Sequence, residues 1–92
     1  MPVEGLLALI GERLRQERLR QEYTQETLAD KAGVSARALR NLEAGRGAQL
    51  TTFVQVMKAL GAESALHSLL PEADISPLAL IQHGGTRQRG RR

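Results

Sequence analysis

Arg37 and Asn41 carry the hydrogen-bonding patterns that match base edges in duplex DNA. An arginine can donate two bonds to O6 and N7 of guanine, and an asparagine can pair with N6 and N7 of adenine. Their separation is about one helical turn, so both can reach into the same groove. Ala36 stands beside them with a methyl group suited to a thymine methyl, and Ser35 precedes it. Cations follow. Arg40 can meet either a phosphate or a base, and Arg46 lies in the next loop, where a phosphate contact is expected. Thr24 and Gln25 open the preceding helix, where unbonded backbone N–H groups gather and favour an anion. The bland alternative is a solvated helix face, on which arginine is common. The elements that must hold these residues favour base reading.

Those elements are two short helices joined by a tight turn, encoded between Thr24 and Gly45. Thr24 can cap the first with its hydroxyl, and Gly33 can end it by taking positive φ. Ser35 caps the second, and Gly45 closes it after Ala44. For the two to cross, Leu28, Ala32, Val34, Leu39 and Leu42 must face inward, and all are apolar. Ala29 is small where the helices approach. A helix held across another in this way can enter the major groove of DNA with its N-terminal side chains on base edges.

The rest of the chain reads as support. A first helix is predicted over residues 4–22, with Leu6, Leu7, Ile10 and Leu14 on one stripe, and with Arg13 and Arg15 as solvated charges. Arg18 continues that stripe, and Glu43 follows the buried Leu42. An Arg–carboxylate pair there would lock the first helix to the third, a structural role. A fourth helix is predicted over 50–60, with Leu50, Phe53, Val54, Val56, Met57 and Leu60 forming a wide apolar face. A fifth is predicted over 63–70, stopped by Pro71. The expected architecture is all-α, with five helices forming one domain over residues 1–71. Residues 72–92 are expected to hold a linker, a short helix over 76–83 opened by Ser76 and Pro77, and a basic tail predicted to be disordered.

Composition narrows the function classes. With 92 residues, the chain is near the lower limit for burying its own core. Tyr23 and Phe53 are its only aromatic residues, which suits a helical bundle better than a sheet and argues against the stacking surfaces of RNA-binding modules. There is no cysteine, and His67 and His83 lack metal-ligand spacing, so no metal and no cofactor are expected. Gly45-Arg46-Gly47 lacks the context of a nucleotide-binding loop, and no nucleophile–base pairing appears, so catalysis is not expected. The apolar start at residues 6–10 is too short to cross a bilayer, and a cytoplasmic setting is expected. The formal charge of +3 is uneven: without Arg87, Arg89, Arg91 and Arg92, nine basic side chains remain against ten acidic ones. The charge excess thus belongs to the tail and does not by itself make the folded part a nucleic-acid binder.

Several stretches resemble the Xre/Cro class of bacterial and phage repressors across residues 9–62. They are Gly11-Glu12-Arg13-Leu14-Arg15 with Arg18, Thr24-Gln25 with Leu28-Ala29, Gly33-Val34-Ser35, Leu42-Glu43 with Gly45, and Ala59-Leu60-Gly61. The resemblance implies a lambda-repressor-like DNA-binding domain that acts as a homodimer on a palindromic operator. It also implies the Arg18–Glu43 pair and contact roles for Gln25, Ala36, Arg37 and Asn41. The loop Gly45-Arg46-Gly47-Ala48-Gln49 departs from the Asn/Pro-containing loop common in the class.

Other stretches are similar to the small Xre regulators of Hip-type toxin–antitoxin operons. These are Leu50-Thr51-Thr52-Phe53-Val54, Leu69-Leu70-Pro71-Glu72, Ser76-Pro77-Leu78 and Arg87-Gln88-Arg89, with Gly45-Arg46-Gly47 and Ala59-Leu60-Gly61. That likeness implies a HipB-like antitoxin that represses its own promoter and binds a HipA-like kinase toxin. The alternative is a stand-alone Xre-family regulator with no toxin partner. Leu66, Leu69, Leu70, Leu78, Leu80 and Ile81 offer a dimer surface on the fifth helix, on 76–83, or on both.

Overall fold

The computed structural model describes residues 1–71. The predicted helix over 76–83 and the basic tail lie outside the described residues. Within them the chain forms α1 (Val3–Arg20), α2 (Gln25–Ala32), α3 (Ala36–Glu43), α4 (Leu50–Ala59) and α5 (Glu63–His67), with no strand. Leu14, Leu28, Ala29, Leu39, Leu42, Val56 and Leu60 make the buried core, flanked by half-buried Tyr23, Ala32, Val34, Phe53 and Met57. α1 packs on α3, α2 packs on α3 and α4, and α5 packs on α4.

The first four helices end in the same closure. In each, a residue with positive φ is followed by one whose N–H reaches back five positions: Tyr23 to Arg18, Val34 to Ala29, Arg46 to Asn41 and Ala62 to Met57. These are Schellman motifs, which satisfy carbonyls that the helix itself leaves open. Glycine occupies the bend in three of them; after α1 it is Glu22, with φ 63°. That bend is why α1 ends at Arg20 and does not run through residue 22.

The face that α1 turns inward differs from the predicted stripe. Gly11, Leu14 and Arg18 are buried, while Leu6 and Ile10 are exposed. Gly11 allows α1 to lie directly on the end of α3: a Cβ there would stand 2.4 Å from the carbonyl oxygen of Glu43. Gly45 meets α1 in the same way, with Ala8 Cα only 2.8 Å from where its Cβ would be. Side-chain hydropathy cannot register a contact made by missing side chains.

Two further predictions need correction. The apolar face of α4 is narrower than expected: Val56 and Leu60 are buried, but Leu50 is 74% exposed and Val54 is also exposed. α5 stops at His67 rather than running to residue 70, leaving Leu69 and Leu70 exposed. Pro71 accounts for the early stop, because its ring disfavours helical backbone at the residue before it and clashes with the carbonyl four positions back. At the other end of α1, Gln21 donates to Glu17 at 2.7 Å and to the carbonyl of Leu60 at 2.8 Å, tying α1 to the end of α4. The carboxyl of Glu17 is held down to about 2, first by the hydrogen-bonded Arg20 guanidinium and then by the Gln21 amide.

Candidate nucleic-acid interface

Two capped helix starts fix this surface. Thr24 Oγ1 accepts from the Thr27 N–H at 3.0 Å, and Ser35 Oγ accepts from the Ala38 N–H at 3.0 Å. Each cap satisfies one of the free donors of its first turn and sets where its helix begins. Thr24 also donates its hydroxyl to Thr27 Oγ1 at 2.9 Å, so this side chain is committed to its own helix. Glu26 places a carboxylate in the first turn of α2, favourable for the helix dipole and unfavourable for a phosphate.

Behind the surface, Glu43 joins three helices. Arg18 donates to it from Nε at 2.7 Å and from Nη2 at 3.0 Å, a two-point pair between buried residues. Arg18 Nη1 also donates to the Tyr23 carbonyl at 2.9 Å, fixing the corner between α1 and α2. From the start of α2, Gln25 Nε2 donates to Glu43 Oε1 at 3.1 Å. A buried arginine bonded from all three of its nitrogens is held in place, and removing one partner would leave the other charge unpaired in a poorly solvated setting. Gln25, predicted to meet phosphate, thus has its amide turned toward Glu43 and retains one N–H.

Over this frame α3 exposes Arg37 and Arg40, with Asn41 half-buried. Ala36 was predicted on the outward face. It is instead half-buried and packed against the core, because spacings of three and four place it in line with buried Leu39 and Glu43. Arg46 Nη1 donates to Asn41 Oδ1 at 3.0 Å. The structure therefore brings together two residues for which different roles are predicted, one on bases and one on phosphate.

Beside α3 lies a shallow pocket of about 290 Å³ lined by Arg15, Gln25, Arg40, Glu43, Ala44 and Arg46. Its only carboxylate is already paired with Arg18, so Arg15, Arg40 and Arg46 leave it positive. Planar, multi-donor guanidinium groups suit the oxygens of a phosphate. Arg15 was read from sequence as a solvated charge. Its contact with Glu12, at 3.4 Å and half exposed on both sides, is weak and easily exchanged. The signal that could have found Arg15 is its position between Gly11 and Arg18 on the flank of α1 that meets α3.

Among the described residues no group of three or more His, Cys, Asp or Glu is placed to hold a metal ion. None of the described helices is long and apolar enough to cross a membrane. A family model described as helix-turn-helix matches residues 14–65, more than half of the chain. No curated protein matches it.

Proposed function

The chain belongs to the Xre-type helix-turn-helix family of DNA-binding transcriptional regulators, and from that membership we propose that it represses transcription as a homodimer on a palindromic operator. The observation that carries this reading is the exposed face of α3, with Arg37, Arg40 and Asn41 set beside a pocket lined by three arginines. Arg37 and Asn41 read base edges in the major groove, with Ser35 and Ala36 at the margin of the contact. Arg40, Arg46 and Arg15 hold the sugar-phosphate backbone, helped by the Gln25 side-chain N–H that is not bonded to Glu43. Arg18 and Glu43 position α3 and touch no DNA.

A dimer follows from the need to read two half-sites about 34 Å apart. The exposed Leu69 and Leu70, and an apolar groove of about 400 Å³ lined in part by Ile10, Phe53, Met57 and Leu69, supply surface for a second copy. The narrower reading is that the regulator is a HipB-like antitoxin of a HipA-like kinase. It is supported by the stretches through Pro71, Ser76-Pro77-Leu78 and Arg87-Gln88-Arg89.

Selection from random duplexes with the full chain tests the proposal. The expected product is a twofold-symmetric motif bound by two chains, and an asymmetric or featureless pool contradicts it. For the antitoxin, the chain ending at residue 71 should keep operator binding and lose a copurifying kinase. Retention of the kinase by that shorter chain removes the C-terminal segment from the interaction.

A further inference from the structure

Asn41 and Arg46 meet because of how α3 ends. In its Schellman closure the Arg46 N–H bonds to the Asn41 carbonyl at 2.9 Å, with Gly45 at the bend with φ 77°. This closure folds the residue after the bend back over the third residue from the helix end, where an apolar contact usually forms. Here both residues are polar, and Arg46 Nη1 donates to Asn41 Oδ1 at 3.0 Å. Backbone and side chain are joined between the same two residues.

Resting on the reading that α3 contacts bases, we propose that Arg46 is a positioning residue that decides which base edge Asn41 recognises. A guanidinium offers donors and no acceptor, so only the amide oxygen of Asn41 can face it. Turning the amide over would set its N–H groups against those of a cation. Nδ2 is therefore held on the side away from Arg46, and Asn41 presents its donor and acceptor in one order only. Adenine offers the N7 acceptor beside the N6 donor, and the matching asparagine must supply its donor and acceptor in register. Nδ2 then meets N7, and the remaining lone pair of Oδ1 accepts from N6. An asparagine without this restraint can turn over and serve a pair that presents a donor first, its Oδ1 accepting from N4 of cytosine and its Nδ2 donating to O6 of the paired guanine. Arg46 thereby sets a preference for adenine over the C·G pair that a turned amide would fit, while its other donors remain available to a phosphate.

The test uses the full chain and the duplex recovered by selection, together with duplexes changed at one base pair at a time. Wild type, Asn41→Ala, Arg46→Ala, Arg46→Lys and the double alanine variant are compared. Arg46→Ala is expected to reduce discrimination about tenfold at the pair where Asn41→Ala does so, with the double variant no worse at that pair than Asn41→Ala alone. Arg46→Lys, which keeps a donor, should recover part of the preference. In amide NMR spectra of the free protein, Arg46→Ala should move the Asn41 side-chain NH₂ signals while the core resonances stay in place. If Arg46→Ala weakens every duplex by one common factor and leaves base preference intact, Arg46 is a phosphate contact and the inference fails. If wild type shows no preference at any pair, base reading by α3 fails, and the inference fails with it.

Discussion

Gln25 donates its side-chain amide to Oε1 of Glu43 at 3.1 Å, so the first residue of α2 is tied to the last residue of α3. The same carboxylate takes two bonds from Arg18 on α1. The exposed face of α3 is therefore aimed from behind by a single buried group.

Glu43→Ala should lower stability by about 3–5 kcal/mol, because it leaves the Arg18 guanidinium buried without its counter-charge. Replacing both partners, as Arg18→Met with Glu43→Leu, should restore most of the loss. Urea unfolding followed by circular dichroism measures both variants. A loss below about 1 kcal/mol for the single variant would show that the pair is not what joins the helices.

Gly11→Ala provides a test by sign. Glycine to alanine inside a helix ordinarily stabilises by about 0.5–1 kcal/mol. At Gly11 the added carbon would lie 2.4 Å from the Glu43 carbonyl oxygen and 2.6 Å from that of Leu42. Both atoms are backbone, so α1 and α3 must separate, at a cost of about 1–3 kcal/mol. The melting temperature should fall, and a rise would mean that the close approach of the two helices is absent in solution.

Glu22→Gly should act the other way. Glu22 holds φ 63° at the bend where glycine closes the next three helices. An ordinary side chain in that conformation costs about 1 kcal/mol or more, which glycine relieves at the expense of a more flexible unfolded chain. A net gain of about 0.5–1 kcal/mol is expected in thermal or urea unfolding. A net loss would mean that the Glu22 side chain makes a stabilising contact of its own.

The parts of the fold most legible in sequence were those written by local chemistry. Thr24 and Ser35 mark helix starts because a hydroxyl can accept from the first turn, and Gly33 and Gly45 mark ends because positive φ favours glycine. The core positions Leu28, Leu39 and Leu42 follow from helical spacing. What hydropathy concealed is tertiary. Ile10 outweighs Gly11 in any apolar count, yet the glycine is buried because its neighbour is backbone. Leu69 and Leu70 are as apolar as core residues, but Pro71 removes the helix that would turn them inward. The placements of Gln25, Ala36 and Arg15 depend on the angle at which α1, α2 and α3 cross, which no local pattern encodes.

The most direct measurement is the affinity of Arg37→Ala and Asn41→Ala for the selected duplex and for its single base-pair variants. Each substitution should lower affinity for the preferred duplex by about 1–3 kcal/mol and relax preference at one pair per half-site, leaving the rest of the motif intact. If both variants discriminate among duplexes as wild type does, α3 does not read DNA through these residues.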